Sequence, residues 1–275
     1  MRRPASPPWV YRRLLRAFGR RGWWPVSGAS SAPAYRPGVW GKLSERQRAE
    51  ICVGAILTQN TAWGNVLRAL ENLRAADARD FKALLALPPR RLETLIRPSG
   101  YFRQKARKLR IFAERARERG RLSRWLSRPL PELREELLGL WGVGPETADS
   151  ILLYAGGRPA FVVDAYTLRL GRRLGWFAPR SGYAEAQDFF TRALARRPEL
   201  YGEFHALVVE LAKRHCRVRP ACAACPLLTG CRHGAACLAG SPAARADRPP
   251  RRGTWSGGSR RRTGRRRERR GRRIG

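Results

Sequence analysis

Leu138-Gly139-Leu140-Trp141-Gly142-Val143-Gly144-Pro145-Glu146-Thr147-Ala148 sets two glycines on either side of one apolar residue and follows them with proline. Glycine supplies the backbone freedom of a tight turn, and proline is favoured at the start of a helix. The stretch reads as a hairpin between two helices, Leu133–Leu140 before it and Glu146–Tyr154 after it. Such a turn leaves backbone N–H groups pointing outward without intrahelical partners, which suits a phosphate. An ordinary helix–helix turn stapled by Val143 accounts for the same residues, and the glycines alone do not choose.

Helical periodicity continues in both directions. Ser44-Glu45-Arg46-Gln47 has the pattern of a capping box, and Ile51, Val53, Ile56 and Leu57 follow as one apolar set. Further helices are predicted through Val66, Leu67, Leu70 and Leu73, through Phe81, Leu84 and Leu85 up to Pro88-Pro89, and through Leu92, Leu95 and Ile96 up to Pro98-Ser99-Gly100. A long basic helix covers Phe102–Arg119 with Leu109, Ile111 and Phe112 inward, and others cover Asp164–Leu174, Tyr183–Ala195 and Leu200–His215. Ala160-Phe161-Val162-Val163 could pass for a strand, but nothing offers it a partner. The chain reads as all-α, built of short helices, with no internal repeat.

The 275 residues carry 57 Lys+Arg against 21 Asp+Glu, a formal net charge of +36. Residues 241–275 hold a net +12 of this in an Arg-rich segment with almost no apolar content, read as a disordered tail over 238–275. Solvation or a contact with a polyanion explains that tail. The remaining +24 lies on the folded body, and a body so basic meets phosphates. No run of about 18 apolar residues is present, which argues against a spanning helix. The start lacks a signal-peptide pattern, so the expectation is a cytoplasmic protein without membrane contact.

Two further features carry chemistry. Phe161-Val162-Val163-Asp164-Ala165-Tyr166-Thr167 puts a carboxylate where an apolar run meets a helix. Asp164 is an N-cap by position, and also a candidate anion at the mouth of a cleft; the roles can coexist. Cys216, Cys222, Cys225 and Cys231 read C-x5-C-x2-C-x5-C, with Lys213, Arg214, Arg217 and Arg219 around them. Four thiolates so spaced suit a [4Fe–4S] cluster, with zinc as the rival. Cys237 could replace Cys231, while Cys52 reads as core and His215 as surface.

Taken together, L-x-G-V-G-x-x-T-A and V-D-A-Y-T some twenty residues later resemble the helix-hairpin-helix DNA glycosylases of the endonuclease III superfamily. The resemblance extends to Gly54-Ala55-Ile56-Leu57-Thr58-Gln59-Asn60-Thr61-Ala62-Trp63, to Gly100-Tyr101-Phe102-Arg103-Gln104-Lys105-Ala106 and to the cysteines, where the superfamily's first gap is one residue longer. Together with Trp23-Trp24-Pro25, it is nearest to endonuclease III-related proteins of the 3-methyladenine DNA glycosylase III type.

The resemblance implies a two-lobed fold: residues 1–41 packing with the C-terminal lobe, a barrel-like helical lobe over 42–160, and C-terminal helices with the cluster loop over 161–237. It implies a base-excision-repair enzyme that acts as a monomer on damaged bases in nucleoid DNA, with Asp164 as the catalytic carboxylate. Gly142, Val143, Gly144 and Thr147 would hold the DNA, and Gln59 would reach toward the flipped nucleotide. Lys105 would contact the backbone, although a solvated helix face explains it as well. Trp23, Trp24 and Pro25 are either a pocket wall or packing for the N-terminal helix; Trp63 and Tyr166 read as core. Ala49 stands where relatives often carry an aromatic residue.

Bifunctional members carry a lysine where this chain has Glu146, and a carboxylate forms no imine. Lys213, beside the cysteines, has no reason in the sequence to enter the pocket. The expectation is a monofunctional glycosylase for alkylated purines. The alternatives are an endonuclease III-like glycosylase for oxidised or mismatched bases and a non-catalytic DNA-damage-binding protein.

Overall fold

The computed structural model describes residues 5–28, 33–35 and 42–240; the Arg-rich segment from 241 onward lies outside them. The described chain is all-α. Its helices are α1 (Pro7–Phe18), α2 (Glu45–Leu57), α3 (Trp63–Ala75), α4 (Phe81–Ala86), α5 (Pro89–Ile96), α6 (Phe102–Arg119), α7 (Leu122–Trp125), α8 (Leu130–Leu138), α9 (Pro145–Ser150), α10 (Ala165–Leu174), α11 (Tyr183–Ala193), α12 (Pro198–Arg214) and α13 (Arg232–Leu238). A π turn over Ile151–Ala155 prolongs α9, its last bond running from Gly156 N to Ile151 O at 3.0 Å.

The first lobe is built around α2. Every residue from Ile51 to Leu57 is buried, so this helix is surrounded by protein rather than one-sided. The capping box closes as its sequence predicts, with Ser44 Oγ accepting from Gln47 N at 3.3 Å and Gln47 Oε1 from Ser44 N at 3.0 Å. Glu45 then accepts the amides of Leu122 and Ser123, which open the short helix α7. Phe112 on α6 packs its ring 5.4 Å from Phe81 and 5.5 Å from Trp125. Burying side chains of this size stabilises a core by about 1.5–3 kcal/mol each.

The second lobe has an aromatic heart. Phe161 stacks on Phe190 at 4.2 Å, and Phe204 meets Phe190 edge-on at 5.7 Å. Tyr11 brings α1 onto Phe204 at 5.7 Å, and Arg13 donates to Pro226 O, tying that helix to the cysteine-rich loop. Gly171 is required for close packing, because a Cβ there would lie 2.1 Å from the Phe177 ring. The apolar run 160–163 is buried and carries the chain from the π turn to Asp164. Among the described residues it pairs with no strand; the isolated bridge is Val26–Ala34. No helix among them is long and apolar enough to cross a membrane.

Candidate active site

Asp164 occupies both positions its sequence allowed. It is the N-cap of α10, its Oδ1 accepting from Thr167 N at 2.7 Å and Thr167 Oγ1 at 2.8 Å. It also lines a cleft of about 680 Å³ between the lobes. Its Oδ2 faces His205 Nε2 at 3.5 Å, and His205 Nδ1 lies 2.7 Å from the Tyr154 hydroxyl. Burial, with the charge of Asp164 next, holds the Tyr154 phenol well above its ordinary range. Tyr154 therefore keeps its proton, and its hydrogen bond to Nδ1 holds the imidazole with Nε2 turned toward Asp164. Burial alone would raise the Asp164 carboxyl, but His205 and the Thr167 donors outweigh it and hold the group below the usual carboxylate range. An ionised carboxylate thus stands at the cleft.

The hairpin forms the opposite rim. Gly142 has φ +82°, and a Cβ there would lie 2.5 Å from the Lys108 side chain, so both conformation and close approach require glycine. Gln59 Nε2 donates to Gly142 O at 3.0 Å and Thr147 Oγ1 at 2.9 Å, while Gln59 Oε1 accepts from Lys108 Nζ. The Val143 amide is spent on Leu140 O at 3.0 Å, closing the turn, so this residue is the buried staple rather than an outward donor. Gly144 is exposed at the N-cap of α9, its amide free for a ligand. Behind the rim, buried Asp149 takes both Arg134 donors at 2.8 and 3.0 Å and the Tyr183 hydroxyl at 2.7 Å, fastening α9 to α8 and α11.

Aromatic rings make the third wall. Trp23 and Trp24 line the cleft with Trp63, the Trp63 ring 5.1 Å from Trp23 and 5.2 Å from Trp24. Trp24 also reaches the core: a Cβ on Gly54 would lie 3.0 Å from its ring. Pro25 is buried and does not line the cleft, because the chain turns inward after Trp24 toward the Val26–Ala34 bridge. Trp63 and Tyr166, read as core from sequence, both face the cleft, and Tyr166 is exposed. Glu146, in the first turn of α9, lines the cleft on the hairpin side, its carboxyl raised by desolvation first and by the Asp164 charge second, with His205 partly offsetting both.

The lysines do not sit where the sequence reading puts them. Lys105 is 2 % exposed, and its Nζ donates to Leu57 O at 2.8 Å and Ser99 O at 2.7 Å. It pins the end of α2 to the turn before α6 and cannot reach a DNA backbone; burial, then the charge of Lys108, lowers it to about 8. Lys108, one turn further along α6, is the lysine at the cleft. Lys213 also lines the cleft, its Nζ 6.0 Å from the Trp23 ring centroid. His205, Val209 and Lys213 lie four residues apart on α12, which brings all three to one face. His205 and Lys108 went unremarked in the sequence; the only signal for His205 was its place inside the apolar run from Phe204 to Val209.

The cysteines form a separate centre. Cys216, Cys222, Cys225 and Cys231 line one cavity walled by Leu170, Leu211 and Leu227. Arg173 Nη1 approaches Cys216 Sγ at 3.3 Å, and Gly234 N donates to Cys231 Sγ at 3.4 Å. Four sulfurs around an apolar hollow, two of them supplied with N–H donors, have the chemistry an iron–sulfur cluster requires. His215 lines the same cavity. Cys237 groups with Cys222 and His233, their sulfurs and a ring nitrogen lying within 4.8 Å of one another.

Comparison with known proteins identifies the family and the fold. Residues 53–196 match the HhH-GPD superfamily of base excision DNA repair proteins. A Methanocaldococcus jannaschii protein assigned as a DNA repair glycosylase is 38% identical over 225 residues, covering 81% of this chain and 94% of its own. Endonuclease III of Thermotoga maritima is 31% identical over 186 residues, 66% of this chain and 81% of its own. The H. pylori 3-methyladenine DNA glycosylase bound to 1,N6-ethenoadenine superposes with a TM-score of 0.53 and 28% identity, covering 63% of this chain and 90% of that one. The non-covalent endonuclease III–DNA complex shares the fold, with a TM-score of 0.67 at 23% identity over 87% of this chain and 100% of that one. The chain belongs to the HhH-GPD superfamily of base excision repair DNA glycosylases.

Proposed function

We propose that this glycosylase is monofunctional and hydrolyses the N-glycosidic bond of alkylated purines in duplex DNA. The observation that carries the reading is a single cleft lined by ionised Asp164 and by the rings of Trp23, Trp24 and Trp63. N3- or N7-alkylation places positive charge on a purine, and a cation is held well against indole faces. Such a base leaves with little need for a proton donor. As the bond breaks, positive charge develops on the sugar, and a fixed carboxylate stabilises it.

The remaining roles follow from position. The exposed Gly144 amide and Lys108 would hold the backbone, and Gln59, now folded against the hairpin, would turn toward the space left by the flipped nucleotide. Cys216, Cys222, Cys225 and Cys231 would hold a [4Fe–4S] cluster, which orders the loop between α12 and α13. Glu146 takes the hairpin position of the imine-forming lysine, which supports hydrolysis without strand cleavage.

One observation favours a second reading, an endonuclease III-like bifunctional enzyme for oxidised or mismatched bases: the amine of Lys213 lines the cleft. The test is base release from duplex DNA treated with a methylating agent, with and without alkali, beside a borohydride trap. Methylated purines released, breaks appearing only after alkali and no trapped complex are expected. A trap abolished by Lys213→Met would establish the second reading. Tight binding without release of any base would leave a damage-binding protein.

A further inference from the structure

Five thiols meet at the C-terminal centre, and a [4Fe–4S] cluster takes four. The fifth, Cys237, sits six residues beyond Cys231 on α13, the helix that Cys231 itself caps. Its sulfur, the Cys222 sulfur and a ring nitrogen of His233 lie within 4.8 Å of one another. The four corners are not held alike. Cys216 has Arg173 on its sulfur and Arg169 on its carbonyl, and Cys231 is anchored by the Gly234 amide. Cys222 lies at the outer bend of its loop, between exposed Ala221 and exposed Ala223 and Ala224. It is a part-buried corner flanked by exposed residues, and the one with a second thiol at hand.

We propose that Cys237 is a reserve ligand for the Cys222 corner of the metal centre. The exchange breaks the bond from Cys222 sulfur to iron and forms one from Cys237 sulfur. The Cys237 thiol gives up its proton and Cys222 takes one, so no electron is gained or lost. The centre would then survive modification of Cys222, including by the alkylating agents whose DNA lesions are the proposed substrate. The proposal rests on the cluster reading above.

The experiment measures iron and sulfide per chain, and the visible absorption band, in the purified full-length holoprotein. Cys222→Ala, Cys237→Ala, the double variant, and the controls Cys216→Ala and Cys225→Ala, which have no reserve, are compared. Both single variants at the exchanging corner are expected to keep most of the iron, whereas the double variant and both controls lose it. Iron in Cys222→Ala as low as in the controls overturns the proposal, as does iron retained by the double variant. Wild-type protein purified under anaerobic conditions without iron would overturn the cluster reading and this proposal with it.

Discussion

Asp164 and His205 face each other across 3.5 Å, Oδ2 to Nε2, while the other oxygen of the same carboxylate caps α10. One side chain therefore caps a helix with Oδ1 and presents Oδ2 to the cleft, facing a histidine that Tyr154 holds from its other ring nitrogen. His205 acts through Asp164, so it is a positioning residue. His205→Ala is predicted to slow base release by about 10- to 100-fold with little change in DNA affinity, and His205→Gln, which retains an N–H, to recover part of it. Losing the donor that lowers Asp164 also shifts the acidic limb of the rate profile to higher pH, with Glu146, Tyr154 and the Thr167 donors still around the carboxylate. A slower variant with an unmoved acidic limb would reduce His205 to a packing role. Single-turnover rates across pH decide it.

Glu146 gives a prediction of opposite sign. Its folded pKa is raised, so the folded state holds this proton better than the unfolded chain does. The resulting stability is present below the unfolded carboxylate range and is lost as pH rises through the folded value. Glu146→Gln should therefore raise Tm at neutral pH, with little effect near pH 4. Glu146→Lys restores an amine at the hairpin and should yield a borohydride-trapped complex with DNA that wild type does not. Calorimetry at the two pH values and a gel-shift trap check these outcomes.

At Gly142 backbone and contact coincide. Gly142→Ala forces a left-handed conformation on alanine and pushes Lys108 away from Gln59. The expected cost is about 1–2 kcal/mol of stability, together with weaker DNA binding. Lys108→Ala should lower affinity alike for damaged and undamaged duplex and reduce the salt slope by about 1. Denaturant unfolding and binding measured across a salt series separate the two effects.

Lys105 is predicted to matter for stability and not for DNA. Lys105→Met leaves two buried carbonyls without donors, at about 1–3 kcal/mol. Its folded pKa of about 8 lies below the unfolded lysine range, so the unfolded chain binds more protons between about pH 8 and pH 10. Stability of wild type relative to Lys105→Met should rise across that window. Urea unfolding at both ends of it measures the difference.

The hairpin and the helices around it were legible because glycine, proline and apolar spacing are local signals. Phe102–Arg119 emerges with the bounds its pattern predicts. α7 and α13 were not legible, being too short to show a period and set by Glu45 and Cys231 from outside themselves. The lysines mark the limit more sharply. Lys105 and Lys108 differ by one turn of the same helix, and only the packing of α2 against α6 decides which is buried. Lys213 reaches the cleft through the register of α12, which charge and spacing along the chain do not carry.

The most direct test of the account is single-turnover release of methylated purine from one duplex substrate by wild type and by Asp164→Asn. The substitution keeps a capping oxygen for Thr167 while removing the charge. Release by wild type, a fall of at least about 100-fold in the variant, and unchanged DNA affinity are expected. Release by the variant at a rate near wild type would contradict the account.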